Sequence, residues 1–108
     1  MKAYQEGRLE QQQAESGKLY LEFLRESSLS MGLYVLPAGG VDPQRPHRED
    51  EVYVVVRGRG HITVGDETQP VTQGSIVYVG RGVSHFFHDI AEELAILVFF
   101  APPESEDI

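Results

Sequence analysis

The stretch Pro46–Gly58, PHREDEVYVVVRG, sets His47 and Glu51 four positions apart and then runs into an unbroken apolar segment. Side chains alternate across a β-strand, so Glu51, Tyr53 and Val55 share one face while Val52, Val54 and Val56 share the other. Both faces carry apolar groups, which marks a strand covered on two sides. If the preceding loop roughly keeps this alternation, His47 joins the face of Glu51. A carboxylate turned into an apolar interior is costly unless it is paired or bound to a cation. Two readings follow, a solvated acidic turn or half of a metal site.

Working outward, the same period of two recurs between turn residues. Upstream lie KLYLEFLRES, SMGLYVLP and the loop PAGGVDPQRP. Downstream come HITVGDETQPV, with a hairpin signal at Gly65 and Asp66, then GSIVYVGRG, SHFFHDI and ELAILVFFAPP. The pattern predicts seven or eight short strands, no long helix, and an all-β sandwich or barrel. In ELAILVFF, Leu94, Ile96, Val98 and Phe100 oppose Ala95, Leu97 and Phe99. The outer faces of this strand and of Val52–Val56 need a cover, and a homodimer is expected to supply it.

Residues 1–17 are polar and glutamine-rich. A helix over Arg8 to Glu15 would lack a wide apolar face, so a frayed or partner-dependent arm is expected there. The domain proper is expected over residues 18–103, with a polar C-terminal tail at 104–108.

A chain of 108 residues supports one domain. No apolar run approaches the roughly 18 to 20 residues of a membrane span, and no charged stretch leads into an apolar one at the start, so a cytoplasmic protein is expected. The sequence has no cysteine, which excludes disulfides, thiolate metal sites and cysteine nucleophiles. A formal net charge of −8, with nine scattered Lys and Arg residues, argues against nucleic acid as a partner.

A third donor is suggested by His85, which follows the Gly80–Gly82 turn and opens another apolar strand. Two histidines and a carboxylate suit a divalent transition metal such as Fe, Mn, Ni or Zn. The competing reading makes His47 and Glu51 a surface ion pair and His85 a hydrogen-bonded core residue. His88 has the opposite parity and points outside unless a bulge follows Phe86. His61, Glu49 and Asp50 are expected in solvent. Tyr53, Tyr78, Phe87 and Phe99 are expected in the core, with Tyr53 and Phe87 as candidates to line a ligand pocket.

At this point the chain resembles the cupin superfamily. The first cupin motif matches at Gly39, His47, Glu51 and Gly58, with Arg45 where its first histidine is expected; the second matches at Gly74, Gly82 and His85, with Gly80 for its proline and Asp89 for its asparagine. The resemblance spans about residues 30 to 100. It implies a double-stranded β-helix, or jelly-roll barrel, with His47, Glu51 and His85 directed inward as metal ligands. Arginine cannot ligate. Arg45 is read instead as a substrate-binding residue, as an ion-pair partner of Glu49 or Glu51, or as turned outward, and the Gln44 carbonyl oxygen can take the vacant position if the loop before Pro46 bulges. The implied function is a metal-dependent, dioxygenase-like or isomerase-like enzyme acting on a small molecule; the alternative is a non-catalytic module that binds a small ligand or a structural metal.

Overall fold

The computed structural model describes residues 1–105. Its elements are α1 (Glu6–Ser16), β1 (Tyr20–Arg25), β2 (Ser30–Leu36), β3 (Asp50–Val64), β4 (Glu67–Thr72), β5 (Ile76–Val79) and β6 (His85–Ala101). All strand pairs are antiparallel. The order is β1-β2-β6-β3-β4, with β5 on the free side of β3.

The expected short strands fuse into two long ones. EVYVVV and HITV are a single strand, β3, and SHFFHDI and ELAILVFF are a single strand, β6. Gly58 and Gly60 resemble strand ends, but β3 runs through both; the β3–β6 register slips between Val55 and His61, and opposite the two glycines the extra residues lie on β6. Gly58 has φ 93°, and a Cβ there would stand 1.9 Å from the Glu93 carbonyl oxygen. Only glycine allows so close a backbone approach. Asp89, on the partner strand, takes the left-handed region at φ 48°.

The consequence is a β3–β6 ribbon folded over on itself. Asp50–Val55 pairs with Ile96–Ala101, whereas Arg59–Val64 pairs with His85–Glu92. Side chains from the two halves then meet inside, Glu51 against His85 and Tyr53 against Phe87. The interior parity read from the sequence holds, since Glu51, Tyr53, Val55, Leu94, Ile96, Val98 and Phe100 are all buried. Tyr78 departs from it. Being on β5 opposite Val52, it faces outward and is 63% exposed.

The N-terminal segment is a docked helix, not a frayed arm. Leu9 is buried against Leu33, Val35 and Ala95 on the outer sheet face, with Phe23, Val56 and Leu97 around it. Arg57 ties the helix down by pairing with Glu10 at 2.7 Å and with Glu93 at 3.0 Å. These ion pairs are half-exposed and contribute little. Burying one leucine side chain contributes about 1.5–3 kcal/mol and is the main anchor. Gly17 closes the helix in the left-handed conformation at φ 71°. Part of the outer apolar face of β6 is thus covered within the chain.

Candidate metal centre

The loop between β2 and β3 is organised by Asp42, a buried carboxylate for which no role was read from the sequence. It accepts hydrogen bonds from the Phe87 backbone N–H at 2.8 Å, from the Gln44 side-chain amide at 2.7 Å and from the Tyr34 hydroxyl. It therefore fastens the loop to β2 and β6 at once. Gly82 N–H donates to the His47 carbonyl at 2.7 Å, and Arg81 N–H to Asp50 at 3.0 Å. These bonds join the loop to the turn before β6, which brings His47 and His85 together.

His47, Glu51 and His85 are all buried, and one donor atom from each lies within 4.8 Å of the others. His85 Nε2 is 2.8 Å from Glu51 Oε1. Gln44 joins them, its Oε1 lying 3.1 Å from His47 Nε2 and 3.2 Å from His85 Nε2. Its orientation follows from its partners: the amide nitrogen donates to Asp42, and the Tyr53 hydroxyl donates to Oε1 at 3.0 Å. The carbonyl end therefore points at the histidines.

His85 presents Nδ1 to the Val83 carbonyl at 2.9 Å, which can only accept. The proton of a neutral His85 thus sits on Nδ1, and Nε2 turns its lone pair toward Glu51. Glu51 is 2% exposed, and neither of its oxygens makes a well-directed hydrogen bond. Acceptors facing acceptors in a dry interior repel unless a proton on Nε2 or a metal cation lies between them. Burial pushes His85 down, but the Glu51 carboxylate outweighs it, aided by the Val83 carbonyl, and holds its pKa above the ordinary value. Burial lowers that of His47.

The donor set passes a simple fit test. An ion bonded at about 2.0–2.2 Å to nitrogen and carboxylate oxygen needs donors roughly 3–4 Å apart. The contacts of 3.1 and 3.2 Å fall at the short end of that range, and the 2.8 Å contact between His85 and Glu51 lies just below it. Imidazole, carboxylate and amide oxygen are the mixture that first-row divalent ions accept.

The other residues singled out in the sequence fall in different places. Tyr53 reaches the cluster through Gln44, and Phe87 packs edge-on against Tyr53 with ring centroids 5.0 Å apart. Arg45 is exposed on the loop, one residue beyond the inward-turned Gln44. His88 lies outside, bonded to Thr63 at 2.7 Å and stacked on His61, which is half-buried and not fully in solvent. Glu49 is buried instead of solvated, and accepts a hydrogen bond from Ser105 at 2.8 Å. The expected polar tail begins with a buried residue, Glu104, whose Oε2 is 3.5 Å from His47 Nδ1; the rest of it, residues 106–108, lies outside the described residues. An Asp-Pro step in a loop gave a faint hint of Asp42, whereas nothing near Glu104 pointed to the site.

Comparison with known proteins agrees with this architecture. Residues 32–100 match the family described as Cupin domain, and the chain belongs to that family. An uncharacterized protein of Streptomyces coelicolor is 55% identical over 105 residues, covering 97% of this chain and all of the relative. Among solved structures, TT1209 from Thermus thermophilus superposes with a TM-score of 0.76 at 21% identity, covering 95% of this chain and 99% of the other. An RmlC-like cupin from Methanocaldococcus jannaschii with a double-stranded β-helix fold gives 0.71 at 23% identity, covering 79% and 80%. At these identities the structural likeness speaks for the fold alone.

Proposed function

We propose that this cupin holds one divalent transition metal through His47 Nε2, Glu51, His85 Nε2 and the Gln44 carbonyl oxygen, and uses it on a small-molecule ligand. The observation that carries this reading is the convergence of four acceptor atoms in a buried site where Glu51 has no well-directed hydrogen bond. When bound, such an ion acts as a Lewis acid or activates dioxygen. The chain's own part is to hold the ligands. Val83 fixes the His85 ring, Asp42 fixes the Gln44 amide, and Tyr53 and Phe87 wall the cluster on the barrel side. Exposed Arg45 is the proposed partner for an anionic group on an approaching ligand.

A second reading, a structural ion in a non-catalytic module, is favoured by the fourth protein donor. Four donors close a tetrahedral ion but leave two positions free on an octahedral one. Loading with Co(II) and adding azide separates the readings. A changed visible spectrum supports an open, catalytic position. An unchanged spectrum, together with a steep fall in melting temperature on chelation, supports the structural ion.

The proposed assembly is a homodimer. Tyr78, Val52, Phe99 and Met31 form one row across the outer sheet, and Ile76, Val54 and Leu97 the next. Ile76 is 72% exposed, and neither row contains a charge. Such a face fits a second copy of itself around a two-fold axis. Light scattering at micromolar concentration should give twice the chain mass, and Val54→Asp should give the monomer; a monomeric wild type contradicts the dimer. Among the described residues no helix is long and apolar enough to cross a membrane. The cytoplasm is the proposed compartment.

A further inference from the structure

Each ring nitrogen of His47 faces an oxygen. Nε2 lies 3.1 Å from Gln44 Oε1, inside the cluster, and Nδ1 lies 3.5 Å from Glu104 Oε2, on the far side of the ring. A neutral imidazole has one proton to give and must choose between them. If the proton sits on Nε2, the lone pair needed by an ion is lost and the site loses a ligand.

Glu104 is held where it can decide that choice. Its backbone N–H donates to the buried Ser30 hydroxyl at 2.9 Å, and its carbonyl accepts from the Arg25 guanidinium. The next residue, Ser105, donates to buried Glu49 at 2.8 Å. Glu104 is itself 5% exposed, and the Phe100 ring packs edge-on against His47 at 4.9 Å, so the imidazole has little freedom to swing away. A carboxylate is a stronger acceptor than an amide oxygen. Gln44 Oε1 also keeps a donor, the Tyr53 hydroxyl, when His47 gives it nothing.

We propose that Glu104 is a positioning residue that keeps the His47 proton on Nδ1 and leaves Nε2 bare toward the cluster; the inference rests on reading that cluster as a metal site. Glu104 then stands to His47 as the Val83 carbonyl does to His85, but across 3.5 Å against 2.9 Å, an ion-pair separation and not a hydrogen bond. Carboxylates in this position orient a ligating histidine and raise its basicity, and their loss typically weakens metal binding about 10–100-fold. The C-terminal segment, which lies beyond both sequence motifs, thereby becomes part of the site.

The test uses the full-length, 15N-labelled, metal-free chain at about pH 8, where a histidine of ordinary or lowered pKa is neutral. Long-range proton–nitrogen spectra should show His47 protonated on Nδ1 in the wild type. Glu104→Ala should move the proton to Nε2, and Glu104→Gln, whose amide oxygen is no stronger an acceptor than that of Gln44, should leave it shared between the two nitrogens. Zn(II) titrated against a competing chelator should bind about 10–100-fold more weakly to Glu104→Ala, and about threefold or more weakly to Glu104→Gln. Identical His47 tautomers in wild type and Glu104→Ala overturn the proposal. So does a variant that melts earlier yet keeps the wild-type tautomer and Zn(II) affinity, which is the mark of a merely structural role. If Glu104→Ala does not fold, Glu104→Gln decides, and an unchanged Zn(II) affinity there overturns the proposal. A wild type that takes up no Zn(II) removes the metal reading instead, while the tautomer spectra still test Glu104.

Discussion

Two adjacent rungs inside the folded ribbon are built from the same strands and do opposite things. Tyr53 and Phe87 meet edge to face and fill the barrel with apolar surface. Two positions earlier on each strand, Glu51 and His85 meet as a buried carboxylate and imidazole. The first rung stabilises the fold by its packing. The second is held in the interior by that packing and contributes little of its own, because two desolvated polar groups recover only part of what they lose on leaving water. The pair is more easily understood as a site than as a support.

Breaking the apolar rung should have the largest effect. Phe87→Ala leaves a ring-sized hole in the core and should cost about 3–5 kcal/mol in urea or thermal unfolding. Leu9→Ala, which undocks the helix from the outer face, should cost about 2–3 kcal/mol, at the lower end because that site borders solvent. The polar rung should behave differently. Replacing both partners together, Glu51→Met with His85→Leu, should leave the metal-free protein as stable as before or more stable by about 1–4 kcal/mol. A loss as large as that of Phe87→Ala would mean that the two rungs are equivalent and the contrast is false.

A smaller effect sharpens the contrast through pH. His85 has a raised pKa in the fold, so its contribution to metal-free stability is complete below the ordinary value of 6.5 and is lost as pH rises through the raised one. His47 has a lowered pKa, so its contribution is complete above 6.5 and is lost as pH falls below that. Taken together, the two histidines favour a stability maximum near pH 6.5. Urea midpoints of the metal-free protein across pH 5 to 9 check this. In the double replacement at Glu51 and His85 the decline on the alkaline side should vanish.

Much of this arrangement was legible in the sequence, for identifiable reasons. The alternation through Glu51, Tyr53 and Val55 gave the interior face, and the spacing of His47, Glu51 and His85 reflects their convergence. Local pattern was less informative where distant contacts decide. Gly58 and Gly60 look like turn residues, but β3 continues through both, and at Gly58 the Glu93 carbonyl comes so close that no side chain fits. Helix α1 has one large apolar side chain, Leu9, and is fixed by a face that its own sequence cannot reveal. Tyr78 follows the strand alternation, but its partner Val52 lies on the outer side. Gln44 turns inward because Asp42, Tyr53 and the histidines surround it, in a loop where Pro43 and Pro46 break simple alternation.

The most direct measurement is the metal content of the purified chain after equilibration with Fe(II), Mn(II), Ni(II) or Zn(II) and removal of free ion. The account predicts about one ion per chain for at least one of these metals, abolished in Glu51→Ala and in His85→Ala. A folded wild type that retains none of the four, or a Glu51→Ala variant that retains the ion as well as the wild type does, would contradict it.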